Sequence, residues 1–375
     1  MIIFANAMER KPLDALIQNL KARWKRANRQ ESVAQAKTQI RSLRQQGIDY
    51  RCQGCYAEAK STFKKGLKKA SSHQALSLLK ARLLHELGIA EELDGNFRCA
   101  TKLYRESIDL QTQLSDDLGQ SSTLHRLAYL MSKQEKLDEA ISYYEQALSL
   151  REQCDDTAGQ ASTLHQMAYL KSQIGDTQAA ISLYEKLCTL EPETYDAHVR
   201  SNALHQLGVL KAEIGDFESA LKLYQESYSI EQSLKNISDQ AMTLVQIADV
   251  YQRQERMDLA LACCQEVLNL VNTSADEGFR ACKGAALHQI GTIRAKLGDT
   301  NKAITTYEEA LRFTDDSEDK AVTLALLGDL LTLQQKTFER GLKYLRQALQ
   351  TLKKLNSCET NAVKELVFKA EERRC

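Results

Sequence analysis

The sequence predicts an all-α chain built as an α-solenoid of about eight helix–turn–helix repeats, closed by a capping helix at each end. Three observations carry that prediction. The first is a period: marker leucines fall at Leu84, Leu124, Leu164, Leu204 and Leu244, in steps of 40 residues, and continue at Leu287 and Leu324. The second is spacing within each unit. Apolar residues recur three and four apart, as in Leu124, Leu127, Ala128 and Met131, and that spacing draws one stripe along a helix. The third is the scarcity of helix breakers, with 2 Pro and 16 Gly in 375 residues.

Residues 11–29 read as an N-terminal helix, with Leu13, Leu16, Ile17 and Leu20 on one face, inside a basic capping segment at 1–39. A degenerate first repeat begins near Leu43, and the repeat array occupies 40–353. In each unit the first helix ends at a turn written "IGD" at 174–176 and 214–216, "LGD" at 297–299 and "DGN" at 94–96. Glycine there accepts the left-handed conformation that closes a helix, and the following Asp or Asn caps the next one. The second helix carries a small residue, an aromatic four on, then usually another small one: Ala140, Tyr144, Ala147, and again Ala303, Tyr307, Ala310. The small residues let two helices approach, and the aromatic fills the gap beside them. Two units depart. Cys264 stands where the aromatic is expected, and the last unit needs one extra residue near Thr337. Residues 354–375 form the C-terminal cap, a helix over 360–372 burying Val363, Leu366, Val367 and Ala370, with the joint at 355–357.

The pattern Leu–x2–Leu/Ile/Met–Gly/Ala, followed by Ala–x3–Tyr–x2–small, resembles the tetratricopeptide repeat. The resemblance covers about residues 40–352. The family's glycine stands at Gly88, Gly208, Gly291 and Gly328, its closing proline at Pro192, and leucine replaces its first tryptophan. The period exceeds the usual ~34 residues. It is similar to the longer-helix form in light-chain-type adaptors and in regulatory arrays of bacterial sensor proteins. The resemblance implies a right-handed superhelix whose first helices line a concave groove, and partners that are proteins.

Five of the seven histidines follow the marker leucine: His85, His125, His165, His205 and His288. By the resemblance they form a row along the groove. A shared metal is excluded by spacing. Zinc needs ligand nitrogens at ~2.0 Å, whereas adjacent helices lie ~8–10 Å apart, so four histidines span roughly 25–30 Å. Two readings stay open, repeat inheritance and a polar wall that contacts a partner. Arg126, Gln166, Gln206 and Gln289 stand next to four of the histidines, and Tyr129 and Tyr169 one turn on. Such side chains suit recognition of a peptide or helix segment. The family's clamp for a terminal carboxylate needs Lys and Asn where this chain has His, Ile or Tyr, so that mode is not expected.

Charge is uneven despite a net charge of zero. Residues 1–80 carry 17 Lys and Arg against 5 Asp and Glu, and the remainder 33 against 45. Lys21, Arg23, Lys25 and Arg26, with Lys60, Lys64, Lys65, Lys68 and Lys69, make a basic head. It suits an acidic protein or a sister molecule, or it is a solvated face. Nucleic acid is a weaker expectation, because stacking aromatics are not interleaved.

"CQGC" at 52–55 has no second pair for zinc and flanks the first turn. Nucleotide-loop, nucleophile-elbow and zinc-protease motifs are absent. The expectation is therefore a non-enzymatic scaffold or adaptor without cofactor. Alternatives are a sensor whose superhelix answers a small peptide or effector, and a nucleic-acid-associated scaffold. No apolar run reaches a membrane-spanning length. Ten scattered cysteines favour a reducing cytoplasm. Oligomeric state is not legible.

Overall fold

The computed structural model describes residue 21 and residues 32–71, 74–272, 279–314 and 318–374. The expected N-terminal helix at 11–29 lies outside them, apart from Lys21. All regular structure among the described residues is helical, and the chain divides into two compact units, 1–183 and 184–375.

The first unit holds α1 (residues 32–52), α2 (Tyr56–Ala70), α3 (Ser77–Leu93), α4 (Phe97–Leu114), α5 (Asp117–Lys133), α6 (Leu137–Gln153), α7 (Thr157–Gln173) and the start of α8 (Thr177–Cys188). Sequential helices pack as hairpins: α3 on α4 and α5 on α6, with α4 on α5 and α6 on α7 joining one hairpin to the next. The second-helix triplets do what their spacing predicts, since Ala100, Tyr104, Ala140, Tyr144 and Ala147 are all buried. Gly88 shows why a glycine is required opposite the aromatic. A Cβ there would lie 2.5 Å from Tyr104 Cε1, inside van der Waals contact. Gly47 on α1 stands in the same relation to Phe63 on α2, which makes α1 and α2 the degenerate first repeat.

The second unit continues with α9 (Ala197–Glu213), α10 (Phe217–Ser233), α11 (Ile237–Arg253), α12 (Met257–Asn272), α13 (Arg280–Lys296), α14 (Thr300–Ala310), α15 (Glu318–Thr332), α16 (Phe338–Leu355) and α17 (Thr360–Arg374). Its core runs through Tyr224, Ala241, Leu244, Ile247, Cys264 and Ile290. Cys264 is fully buried where other units hold tyrosine, and its Sγ donates to Gln289 Oε1 at 3.3 Å. The extra length near Thr337 is a five-residue turn between α15 and α16. Val363 and Ala370 of α17 join the core of Leu342, Leu345 and Leu352, while Leu366 and Val367 pack against it half-buried.

Turns within hairpins place a left-handed residue at one position. It is Gly at 54, 95, 175, 215 and 298, but Glu135 (φ 60°) and Glu255 (φ 62°) hold it in two hairpins. The turn acids cap unevenly. Asp216 Oδ1 accepts from Ser219 N at 3.2 Å and Asp176 Oδ1 from Ala179 N at 3.3 Å, whereas the Asn96 side chain donates to Glu91 instead. Turns between hairpins are tighter in their chemistry: Ser115, Asp155 and Lys235 are left-handed, and Asp116, Asp156 and Asn236 cap the helix that follows.

Candidate partner-binding site

The marker leucines point into the core; Leu84 and Leu124 are 3% and 2% exposed. The next residue on a helix is rotated about 100° away, to the edge of the buried stripe, and all five repeat histidines are accordingly half-buried. Each described ring contact is the same. His85 lies 6.0 Å from Tyr104, His125 5.2 Å from Tyr144, His205 5.6 Å from Tyr224 and His288 5.8 Å from Tyr307, centroid to centroid.

The imidazoles also reach forward to the next hairpin. Nδ1 of His85, His125, His205 and His288 lies 3.0, 3.4, 3.0 and 2.8 Å from Oγ1 of Thr123, Thr163, Thr243 and Thr323. Three of these fix a tautomer. Thr123 and Thr323 donate their single hydroxyl proton to the carbonyls of Gly119 and Asp319, and Thr243 donates to Glu231 Oε1. The hydroxyl oxygen then accepts, so Nδ1 of His85, His205 and His288 carries the proton and Nε2 is left as an acceptor. Burial pushes His85 and His205 down to about 4 and His125 to about 3, and it lowers His165 and His288 as well. His85, His125, His205 and His288 are neutral links between neighbouring repeats. That link was legible in principle, because Thr stands just before four of the seven marker leucines: Thr123, Thr163, Thr243 and Thr323.

In the first unit the first helices of three consecutive hairpins, α3, α5 and α7, line an open cavity of about 430 Å³. His85, His125, Arg126, Tyr129 and Gln166 of the expected groove set converge on it, joined by Arg151 from α6. No carboxylate lines it. Arg126 Nη1 lies 3.9 Å from Glu92 Oε1, too far for a hydrogen bond. Arg151 is 7% exposed. Its Nη1 donates to the Gly159 carbonyl at 2.6 Å and to Thr163 Oγ1, and its Nε, 3.7 Å from Asp156 Oδ2, has no hydrogen-bond partner. Beyond burial, Arg126, Arg44 and Arg51 lower His85, and Arg151 and Arg126 lower His125. The field at these two rings is therefore positive. Tyr169, also of the expected set, is 48% exposed on α7 and does not line the cavity.

In the second unit, His288 and Gln289 line a separate cavity of 350 Å³ with Phe313, Val322 and Asp319. Here a carboxylate faces the histidine and pulls its pKa back up against burial. Gln289 is committed to the fold, donating to the Val245 carbonyl at 3.1 Å. His205 and Gln206 are half-buried on α9.

The basic head divides. Arg23, Lys25 and Arg26 lie outside the described residues. Lys60 is ion-paired with Glu91 at 3.3 Å and Asp94 at 2.5 Å, and Lys64 stands 4.0 Å from Glu91. Lys69 donates to Gln39 at 2.7 Å. Lys64, Lys65, Lys68 and Lys69 are exposed on α2. Residue type alone does not reveal the buried polar row that sequence reasoning missed. Gln111, Arg151 and Glu231 all occupy the place seven residues after the tyrosine. Long polar residues default to the surface, and only their shared register marks them.

Stacked helical hairpins, with four histidine–threonine links between successive repeats among the described residues, define a helical-repeat protein. Residues 119–190 and 239–316 match the family model described as tetratricopeptide repeat, so each of the two units carries tetratricopeptide repeats. No curated protein matches the sequence. Among solved structures the fold is similar to the apo form of RapI, with 14% identity, TM-score 0.63, and coverage of 90% of this chain and 98% of that one. It is similar to the apo form of the quorum sensor NprR from B. thuringiensis, at 14% identity and TM-score 0.58, covering 84% and 87%. It is also similar to a signal-transduction ATPase with a tetratricopeptide repeat sensor from Pyrococcus horikoshii, at 16% identity and TM-score 0.61, covering 84% of this chain and 47% of that one. These likenesses are of fold. No helix among the described residues is long and apolar enough to cross a membrane.

Proposed function

We propose that the chain is a non-enzymatic scaffold that binds a peptide or helix segment of another protein across the first helices of its repeats. One observation carries this reading: groove residues from three successive hairpins converge on a single cavity of 430 Å³. A repeat array held by fixed links presents such side chains rigidly, so a ligand does not have to order them. In this reading the array is the interaction module, with 1–39 and 354–375 as its flanking segments and the cytoplasm as its setting. Nine free cysteines among the described residues are in keeping with that setting.

Random peptide display against the intact protein, counter-screened with a Tyr129→Ala/Gln166→Ala variant, tests it. Enriched peptides that the variant no longer holds support the groove. Peptides held equally by both move the binding surface elsewhere. A second reading, a sensor that changes compaction when an effector binds, draws on the fold shared with the quorum sensor NprR. It predicts a smaller radius of gyration in solution scattering when a selected peptide is added, whereas the scaffold predicts none. Binding to nucleic acid through the basic head is the weakest alternative, since Lys60 already has two carboxylate partners.

A further inference from the structure

We propose that the cavity between α3, α5 and α7 reads a carboxylate: it takes an acidic side chain of an extended partner peptide, with Arg126 as hydrogen-bond donor and Arg151 as buried positive charge. The inference rests on the reading of this face as a peptide groove and adds the chemistry of what enters it.

Four observations support it. The lining holds two arginines and no carboxylate. Arg126 is part-exposed, with a side-chain exposure of 40%, and its only ion-pair partner among the described residues is a carboxylate 3.9 Å away, so its N–H donors are available to a ligand. Arg151 cannot swing out to meet solvent, because the Gly159 carbonyl and the Thr163 hydroxyl hold its Nη1. It contributes a fixed charge in surroundings where water screens poorly. Finally, both cationic side chains act on the His125 ring, which lines the same space. The carboxylates that offset the two arginines, Glu92 and Asp156, are not in the lining. Glu92 is turned to another task, accepting from Tyr104 OH at 2.5 Å. A guanidinium with free N–H groups beside a second positive charge is built for a planar, two-oxygen acceptor. Gln166, also in the lining, supplies a neutral donor for the peptide backbone, and Ser122, whose hydroxyl donates to the Leu118 carbonyl at 3.0 Å, supplies an acceptor.

The test uses the full chain and two capped hexapeptides, one alternating Gly and Glu and the other Gly and Gln, titrated by calorimetry at low salt. The Glu peptide is expected to bind about tenfold more tightly than the Gln peptide, the scale of a charge-assisted hydrogen bond. Arg126→Gln is expected to abolish that preference and Arg126→Lys to restore part of it. Lys102→Gln, an equal loss of charge at an exposed site on α4, is expected to leave it unchanged. Glu92→Gln, which removes the competing carboxylate while keeping an acceptor for Tyr104, is expected to tighten Glu-peptide binding about threefold. Equal binding of the two peptides, with the Gln peptide weakened by Gln166→Ala, overturns the carboxylate assignment and leaves the peptide groove standing. No binding of either peptide at millimolar concentration overturns both. Inorganic phosphate that competes as well as the Glu peptide, residue for charge, overturns the peptide as the source of the anion. A preference that survives Arg126→Gln places the anion elsewhere and also overturns it.

Discussion

Lowering the pH probes the histidine links directly, and His205 is the cleanest case because burial alone depresses it. The ring is half-buried, packs 5.6 Å from Tyr224 and donates from Nδ1 to Thr243. Its folded-state pKa is about 4, and an unfolded histidine titrates at about 6.5. Between those values the unfolded chain binds the proton and the folded chain does not, so stability is full above about pH 6.5 and falls as the pH drops toward 4. Going from about pH 7 to about pH 5 costs about 2 kcal/mol at this one residue. Nearby Glu231 works in the opposite sense. Its carboxyl is raised by burial, so it gains stability as the pH falls, but it does so with or without His205. The assay is urea unfolding followed by circular dichroism at both pH values, for the protein and for His205→Gln. The variant is expected to lose about 2 kcal/mol less than the parent over that interval. Equal losses in the two proteins refute the depressed pKa and with it the buried link.

Further expectations follow from the same geometry. Thr243→Val removes an acceptor for His205 and a donor to the buried Glu231 carboxylate, and is expected to cost about 1–3 kcal/mol in the same urea assay. Glu255→Gly relieves a non-glycine residue at φ 62° and is expected to stabilise by about 1 kcal/mol, read as a higher unfolding midpoint. Gly208→Val drives side-chain atoms toward Tyr224, where a Cβ alone would lie 2.7 Å from Cε1. It is expected to cost about 1–3 kcal/mol, measured by loss of hydrogen-exchange protection in α9 and α10.

Much of the fold was legible because the repeat restates it. Leu84 and its successors give the period, and the Ala140, Tyr144, Ala147 triplet gives the buried face of a second helix. What escaped depends on the register between repeats. His205 and Thr243 stand 38 residues apart, and nothing local says they touch. Arg151 looks like a surface residue until α6 and α7 are packed together. Glu135 and Glu255 occupy the left-handed turn position that glycine announces in other hairpins, and only alignment of one repeat on the next identifies them. The histidine row also changes meaning. For His85 and His125 the sequence leaves both repeat inheritance and a wall facing a partner open; each lines the cavity and is also tied to a threonine in the next repeat. Beside them in that cavity, Arg126 supplies N–H donors that no hydrogen bond among the described residues takes up.

A photo-crosslinking side chain placed at residue 129, beside one placed at residue 98 on α4, tests the central claim most directly. With the Glu-containing hexapeptide as ligand, the account predicts crosslinks at 129 that vanish in Arg126→Gln and none at 98. Crosslinking at 98 alone, or crosslinking at 129 that is indifferent to Arg126, contradicts it.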